Sequence, residues 1–323
     1  MHHRSLRLLA SLAIATLVMG ACTTDGGPAG PLQVQAGVND PEDVTIAVLS
    51  FLPAEFTVAP GDEVEWSFPG PEPHSVTFFP EGETPPSPDT AGEYFASVGD
   101  TGTVDGATLV NSGLRPFGPE PAGTFTVTFP DAGAYGYVCV IHPQMAGVVT
   151  VADEGAHSQA DVDTAAAALE EEYLAEGRAA KAALVDAEPR SEAANGATTW
   201  YVEMGSTTAH TDVLAFAPAP VEIAAGDTVV FINNSGAPHT ASFAGETELP
   251  LDPESEEAMT PVEGPLNATA FFNTGWLPPN APPGAGPPEE VRSFAFEVPE
   301  AGTYDYVCLL HVPSGMVGSI TAT

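Results

Sequence analysis

The 323-residue sequence predicts an all-β protein in which two sandwich domains are joined by a single helix. The first reason is that short runs of alternating apolar and polar residues, punctuated by glycine and proline, fill both halves of the chain, which is typical of β-strands. The second is that the later half repeats the earlier one over long ungapped stretches. The third is one Ala/Glu-rich segment of strong helix formers between the halves.

The internal repeat is visible residue by residue. In its first block Ala, Gly, Asp, Val, Pro, His and Phe recur at the same places, and in its last block both tyrosines and a Val-Cys pair recur. The matched stretches, first half with second half, are 59–78 with 224–243, 111–113 with 273–275, and 125–139 with 294–308. Such a match indicates a tandem duplication, so we expect the two halves to share one fold.

The predicted strands of the first half begin at Val44 and end at Val151, and those of the second half begin at Trp200. Turns at 60–62 and 130–133 separate neighbouring strands, because Pro, Gly and Asp favour tight turns. Three stretches rich in Pro, Gly or acidic residues interrupt the pattern, and we interpret them as insertions that cover a surface or an interface. They are 80–106, 245–269 and 278–288.

A helix is predicted for residues 158–187, where alanine, leucine and glutamate dominate. Asp161 or Asp163 would cap its start, and Pro189 would end it. Because its apolar stripe is thin, we interpret the helix as a solvated spacer between the domains. A helix that binds a partner is the alternative.

The first residues have the features of an export signal. Arg4 and Arg7 form a positive region, and the apolar run at 8–19 is too short to span a bilayer. Residues 17–22 resemble a bacterial lipobox, in which Cys22 would be lipidated and become the mature N-terminus, with ordinary secretory cleavage as the alternative. The predicted organisation is a signal peptide at 1–21, a flexible tether at 22–41, a first domain at 42–152, a helical linker at 153–196 and a second domain at 197–323.

The chain is strongly acidic, with 7 Lys and Arg against 44 Asp and Glu and a formal net charge of -37. A surface of this sign repels nucleic acid and anionic lipid and attracts cationic partners. Solubility in a salty medium is an equally good reason for the acidity. Nucleic-acid binding is therefore not among the functions that the sequence predicts.

Each half also carries the same set of candidate metal ligands. An aromatic, strand-like run ends in a cysteine, a histidine follows three residues later, a methionine closes the loop, and a second histidine lies upstream. These residues are His74, Cys139, His142 and Met145 in the first half, and His239, Cys308, His311 and Met316 in the second. Two imidazoles, a thiolate and a weak axial thioether are the donor set of an electron-transfer copper site. With Cys22 assigned to lipid, none of the three cysteines is left for a disulfide.

On these residues each half resembles a cupredoxin of the plastocyanin, amicyanin and pseudoazurin group, over about 44–151 and 200–323 apart from the insertions. The resemblance implies a Greek-key β-sandwich with a type 1 (blue) copper at one end, hence two coppers per chain. The upstream histidine would lie on an inner strand and the other ligands on the last loop. The first half has the short Cys-x2-His-x2-Met loop of amicyanin, and the second has the longer Cys-x2-His-x4-Met loop of plastocyanin.

Each of these residue types also has a more common structural role. A lone buried cysteine is usually a small apolar residue, and a lone methionine usually belongs to the core, but here the whole set recurs at matching positions. Zinc prefers four firm ligands and rarely uses methionine. Ser75 and Thr240, directly after the upstream histidines, would hydrogen-bond the cysteine loop and tune the site. A simple turn hydroxyl is the alternative for both.

Catalysis and copper storage are the alternative functions. A two-domain copper oxidoreductase of the nitrite reductase type needs further histidines. Of the eight in the chain only His157 and His210 remain once the signal and the two sites are set aside, and we interpret both as surface residues. Copper storage or delivery would favour Met-rich or His-rich tracts, and Met204 and Met259 do not form one. We therefore predict a carrier rather than an enzyme.

The sequence thus predicts an extracytoplasmic, lipid-anchored protein that carries single electrons, each copper cycling between Cu(I) and Cu(II). Following the resemblance, His142 and His311 would lie near the surface, where electrons enter and leave. The expected protein partners are cationic redox proteins such as a cytochrome or an oxidase. The lipid on Cys22 would attach the protein to the membrane. The unequal His-to-Met loops predict two different reduction potentials.

Overall fold

The computed structural model describes residues 30–86, 88–97, 102–116, 122–250, 252–280 and 291–323. The predicted signal peptide at 1–21 and the predicted lipidation site Cys22 lie outside these residues. Both sandwich domains and the helix between them belong to one compact unit, Pro31–Thr323. No helix in the described part of the chain is long and apolar enough to cross a membrane.

The described part of the first domain contains nine strands, formed where apolar and polar residues alternate. In the fourth strand, for example, Val64 and Trp66 are buried while their neighbours face outward, as expected for a strand with one face on a core. The strands are β1 Leu32–Asn39, β2 Ile46–Leu52, β3 Glu55–Val58, β4 Glu63–Ser67, β5 Thr77–Phe78, β6 Val110–Asn111, β7 Thr124–Thr128, β8 Gly133–Val138 and β9 Ala146–Val151.

After helix α1, Gln159–Val185, the second domain repeats this series with one additional strand, β10, at its start. Its strands are β10 Ser191–Ala194, β11 Ala197–Thr207, β12 Thr211–Ala217, β13 Val221–Ile223, β14 Thr228–Ile232, β15 Ser242–Phe243, β16 Phe272–Asn273, β17 Ser293–Glu297, β18 Gly302–Val307 and β19 Val317–Ala322. A short helix, α2 Glu256–Met259, lies between β15 and β16, and 3-10 helices occur at Pro88–Tyr94 and Leu309–His311.

Each domain has one sheet of its own, and the other two sheets join edge to edge. The separate sheets have the orders β3-β9-β8-β5-β6 and β13-β19-β18-β15-β16. The joined sheet has nine strands, in the order β17-β14-β11-β12-β2-β1-β4-β7 with β10 attached to β11. The join is an antiparallel pairing of β2 with β12. The predicted class, two β-sandwiches joined by a helix, is confirmed.

The prediction of a flexible tether at 22–41 is wrong for residues 32–39. These residues form β1, which pairs in parallel with β4 and antiparallel with β2. Val34 and Ala36 are buried in the first core, so the alternation of apolar residues makes this segment a strand. The first domain therefore begins near Pro31 rather than at residue 42. Part of the predicted linker, residues 191–194, likewise forms β10 of the joined sheet.

Helix α1 begins at a capping box that differs from the predicted cap. Ser158 is the N-cap residue, and its side chain accepts a hydrogen bond from the Asp161 N–H. The Asp161 carboxylate in turn accepts from the Ser158 N–H at 3.0 Å. This reciprocal pair satisfies two backbone donors at the helix start. Asp161 thus takes part in the cap without being the cap residue, and Asp163 is not the cap.

The interpretation of α1 as a solvated spacer is wrong, because the helix packs against the joined sheet. Ala166 and Leu174 form an apolar cluster with Ile46, Val48 and Leu52 of β2. All seven residues of β2 are buried, since one face of this strand meets the core and the other meets the helix. The helix also contacts β12. It therefore covers the seam between the two domains.

Two of the predicted surface insertions are partly packed into the fold. In the first, Ala91 is fully buried and Tyr94 and Phe95 pack against Leu114 and Val140. In the second, α2 supplies carbonyl groups that accept hydrogen bonds from the buried side chain of Asn273. The third, 278–288, is described only at 278–280. The first two insertions thus lie against the ends of the sandwiches that carry the candidate ligands.

Candidate copper centres

The structure brings His74, Cys139 and His142 together at one end of the first domain. Their ligand atoms all lie within 4.8 Å of one another. His142 Nδ1 is 3.5 Å from Cys139 Sγ and 3.2 Å from His74 Nδ1. Cys139 directly follows β8, and backbone hydrogen bonds with Arg115 hold His74 in place. All three ligand residues are buried.

The second domain assembles the same triad. His311 Nδ1 is 3.3 Å from Cys308 Sγ and 3.1 Å from His239 Nδ1, and the His239 Nδ1 is 3.7 Å from the same sulfur. Cys308 follows β18. Backbone hydrogen bonds with Leu277 hold His239 in place, as those with Arg115 hold His74 in the first domain. The three ligand residues predicted for this domain are therefore in contact and buried.

The predicted axial ligands, Met145 and Met316, are both completely buried and belong to the same apolar cores as the cysteines. The Cys139 N–H donates to the Met145 carbonyl at 2.9 Å, and the Cys308 N–H donates to the Met316 carbonyl at 3.0 Å. These bonds close both ligand loops. Each methionine is thus held beside its cysteine although the two loops differ in length.

The hydroxyl after each upstream histidine binds the cysteine loop, as predicted. The Ser75 N–H donates to Cys139 Sγ at 3.3 Å, while its Oγ accepts from the Val140 N–H at 3.0 Å. Thr240 makes the equivalent contacts, with its N–H 3.4 Å from the thiol sulfur of the second domain and its Oγ1 2.9 Å from the Leu309 nitrogen. An N–H aimed at sulfur stabilises the thiolate, which is one way that a protein tunes a metal ligand.

A buried polar network behind these hydroxyls was not predicted. Thr77 Oγ1 donates to Asn111 Oδ1 at 2.9 Å and lies 3.0 Å from Ser75 Oγ. In the second domain Ser242 bridges Thr240 and Asn273 in the same way. The two asparagines fall in matched stretches of the repeat, which was the signal that could have identified them. They fix the loops on which the upstream histidines lie.

The thiol pKa is lowered at both sites, which favours the thiolate that binds a metal cation. Burial alone would raise the pKa of the Cys139 thiol, but the imidazoles of His142 and His74 lower it well below its usual range. Burial opposes the same effect at Cys308, where His311 lowers the thiol pKa. Conversely, burial would lower the pKa of His142 and His311, but the cysteine beside each raises it. A metal ion would therefore replace a proton at each site.

The donor set fits copper. Ligand atoms about 2.0–2.3 Å from one metal ion in a trigonal arrangement are separated by about 3.5–4 Å. The N–S separations of 3.3–3.7 Å fall in or near this range, and the N–N separations of 3.1 and 3.2 Å are slightly shorter. Two imidazoles and one thiolate, buried beside a methionine, suit both Cu(I) and Cu(II).

The two remaining histidines lie apart from these sites. His157 Nδ1 accepts from the Thr57 N–H at 2.9 Å on an exposed edge of the first domain. His210 stacks on Tyr173 of α1 with ring centroids 4.0 Å apart, so it belongs to the helix–sheet contact and is not a plain surface residue. Among the described residues, the two triads are the only groups of three or more His, Cys, Asp or Glu side chains placed to hold a metal ion.

His142 and His311 do not lie at the surface, contrary to the prediction. Each is only 5% exposed, and each outer imidazole nitrogen faces the same carboxylate, that of Glu72. Burial would raise the pKa of Glu72, but His311 and His142 lower it to about 2. Sequence reasoning missed this residue. The available signal was a difference within the repeat, because the alignment places Ala237 opposite Glu72.

The first half thus has the sandwich fold and the buried His, Cys and Met side chains of a small copper protein. The family described as copper binding proteins, plastocyanin/azurin family, matches residues 39–152. Plastocyanin from Vicia faba is 34% identical over 108 residues, which cover 33% of this chain and 87% of that protein. Chloroplastic plastocyanin from Pisum sativum is 33% identical over 108 residues, which span only 51% of its length.

The chain belongs to the plastocyanin/azurin family of copper-binding proteins. Membership of this family supports copper-based electron transfer as its general function. A solved structure of the Cu(I) form of an amicyanin mutant is also similar, at 21% identity and a TM-score of 0.26, covering 39% of this chain and 87% of that one. The family match lies in the first half, so the second site depends on the internal repeat and on the geometry of its own triad.

Proposed function

We propose that the protein is an extracytoplasmic electron carrier with two type 1 copper centres, one in each domain. The observation that carries this proposal is the buried His–Cys–His triad, which occurs twice with nearly the same spacings. Each triad supplies the trigonal donor set, and the methionine beside each cysteine supplies the weak axial one. Such a set suits both oxidation states, so little rearrangement accompanies the gain or loss of an electron.

The proposed location rests on the lipobox-like residues 17–22, and the proposed partners rest on the charge of the chain. Cys22 would carry a lipid that anchors the protein on the outer side of the cell membrane. With a net charge of -37, the protein would attract redox partners with a cationic docking face, such as a cytochrome or an oxidase, and would not bind nucleic acid.

A copper oxidoreductase of the nitrite reductase type is the second candidate, because two-domain copper proteins include enzymes. Such an enzyme needs a further metal centre, and His157 and His210 lie on different elements with other partners. We expect the purified protein to consume neither oxygen nor nitrite at a sustained rate. Turnover that is lost on substitution of His157 or His210 would favour the enzyme.

The proposed electron-carrier function is tested by metal analysis and visible absorption of the copper-loaded protein. We expect two coppers per chain and intense thiolate-to-copper charge transfer, with Cys139→Ser and Cys308→Ser each losing one copper and part of the colour. Cys22→Ser is the matched control, since it removes a cysteine without touching either site, and it should retain both coppers. One copper per chain, or a colourless Cu(II) form, would contradict the proposal.

A further inference from the structure

Glu72 lies between the outer imidazole nitrogens of two ligands that belong to different domains. Its Oε1 is 3.5 Å from His142 Nε2 and 3.8 Å from His311 Nε2. Since both distances are measured to one oxygen, the two Nε2 atoms lie no farther apart than the two distances combined. The three residues are at most 5% exposed, so they are shielded from bulk solvent.

The inner nitrogens of the same histidines face the metal sites. His142 Nδ1 lies beside Cys139 Sγ, and His311 Nδ1 lies beside Cys308 Sγ. Each imidazole therefore connects its own site, through Nδ1, to the shared carboxylate, through Nε2. The two centres are joined by two aromatic rings and one carboxylate, with only two non-covalent gaps outside the metal sites.

The sequence provides this carboxylate once, although the domain that contains it is duplicated. The repeat places Ala237 at the position of Glu72, and Ala237 is a buried residue with no polar side chain. A buried carboxylate is costly unless it is compensated. The second oxygen of Glu72, Oε2, has no hydrogen-bond partner in the described part of the chain, so the two imidazoles are the groups that stabilise the charge. Such a placement calls for a functional explanation.

We propose that His142, Glu72 and His311 form the route by which the two copper centres exchange an electron within the chain. This inference depends on the proposed function, because it requires a copper in each triad. In the exchange one copper passes from Cu(I) to Cu(II) and the other from Cu(II) to Cu(I). No bond forms or breaks, and Glu72 remains a carboxylate throughout.

The position of Glu72 suits such an exchange. A negative charge near a histidine ligand favours the more positive, oxidised state of the copper that it binds. Because the carboxylate oxygen is almost equally distant from the two imidazoles, it favours oxidation at both sites to a similar extent. It therefore does not trap the electron at one of them. The buried histidine edges are also closed to external partners, which must approach other surfaces.

The test compares the copper-loaded wild type with Glu72→Met, which fills similar volume without polar atoms, and Glu72→Gln, which keeps the shape and a polar contact. Each oxidised protein is reduced by one electron in a rapid pulse, and the redistribution between sites is followed by rapid-freeze EPR. Cys139→Ser and Cys308→Ser provide the signals of the single sites. The dipolar coupling between the copper spins of the fully oxidised protein reports the distance between the two sites. Glu222→Gln, which removes an exposed acid of β13, is the matched charge control.

In the wild type and in Glu222→Gln we expect a redistribution rate that does not depend on protein concentration. Glu72→Met should slow it at least tenfold with the dipolar coupling retained. Glu72→Gln should keep most of the wild-type rate while both reduction potentials rise. The inference is overturned if the wild type with two blue coppers shows no such phase, or if Glu72→Met exchanges at the wild-type rate. It is also overturned if the dipolar coupling in Glu72→Met falls enough to account for the slower rate, since Glu72 would then only hold the two sites close together. Absence of blue copper from both sites would instead contradict the proposed function.

Discussion

Ala47 of β2 lies directly opposite Asp212 of β12 in the strand pair that joins the two domains. The neighbouring pairs are arranged symmetrically about this one, with Thr211 opposite Val48 and Val213 opposite Ile46. Extending the repeat alignment without a gap makes Ala47 and Asp212 equivalent positions. The interface therefore has the self-complementary form of a two-fold dimer, built within one chain.

Gly37 makes room for a copper ligand, and Gly37→Ala should disturb the first site alone. The residue has a φ of +70°, and a Cβ at this position would overlap the ring of His74. We expect a changed visible spectrum and weaker copper binding in a Cys308→Ser background, where only the first site is present. The strained backbone alone costs about 1–3 kcal/mol.

Gly136→Ala is the control for this substitution, because a Cβ at Gly136 would lie in open space. It should leave the spectrum and the copper affinity unchanged. If Gly37→Ala behaved like Gly136→Ala, the close approach of β1 to His74 would not determine the position of this ligand.

Gly177→Ala should destabilise the protein although it replaces glycine in a helix. In an exposed helix this change stabilises by about 1 kcal/mol. Here the added methyl would overlap the Ile46 side chain and come within 2.9 Å of Thr211 Cγ2, and both neighbours are stiff β-branched residues. Overpacking of this kind costs about 1–3 kcal/mol, to be measured by denaturant unfolding.

The reverse substitution at an exposed helix position, Ala175→Gly, is the control for Gly177→Ala. It should destabilise by about 1 kcal/mol, as helix propensity alone requires. A gain in stability for Gly177→Ala would mean that the helix does not pack on the seam between β2 and β12.

Arg178→Gln should loosen helix α1 from the first domain at neutral pH. Arg178 binds both oxygens of the buried Asp40 carboxylate, with N–O distances of 2.6 and 2.9 Å, and this pairing lowers the pKa of Asp40. Without Arg178 the Asp40 carboxylate would lose its main hydrogen-bond partner, and a carboxylate that is left unpaired in the folded state is destabilising. The pKa of Asp40 is lower in the folded protein than in the unfolded chain. The pairing therefore stabilises the fold at pH values above the unfolded pKa of Asp40, and this stabilisation is lost as the pH falls through the folded pKa.

The measurement is the free energy of unfolding of wild type and Arg178→Gln at pH 7 and at about pH 3. The difference between them should be large at pH 7 and smaller in acid. Adding Asp40→Asn to Arg178→Gln should recover part of the loss, since no unpaired carboxylate is then buried. An equal difference at both pH values would show that charge pairing is not the cause.

The two sites should have different reduction potentials, and one further contact distinguishes them. Ser235 Oγ lies 2.7 Å from His239 Nε2 in the second domain, whereas the repeat places Gly70 at the equivalent position. Hydrogen bonding to a ligand imidazole changes its basicity and therefore the potential. Together with the unequal loops to Met145 and Met316, this predicts two resolvable midpoints, where about 30 mV corresponds to about 0.7 kcal/mol for one electron.

Redox titration of Cys139→Ser and Cys308→Ser measures each site separately. Ser235→Ala should move the midpoint of the second site and leave that of the first unchanged. Identical midpoints and spectra in the two single-site proteins would mean that neither the loops nor Ser235 tunes the sites, and that the duplication doubles the capacity of the carrier.

The ligands and the fold of each half were predictable because their determinants are local in sequence. Cys139, His142 and Met145 lie on one loop, so their spacing alone places them near one another, and the internal repeat supplied a second instance. Strand alternation identified most of the sheet. It fails at 32–39, because an equally regular alternation there directly follows a Gly- and Pro-rich stretch whose composition predicts a tether.

The relation between the two domains was decided by the tertiary structure alone. Strand β2 pairs with β12 through backbone N–H and C=O groups, which every residue except proline provides, so the pairing has no side-chain signature in the sequence. With the domains joined in this way, His142 and His311 lie buried on either side of Glu72, and α1 packs against β2. The sequence determined which residues can bind copper, and the docking of one sheet edge on another decided that the two candidate sites face each other.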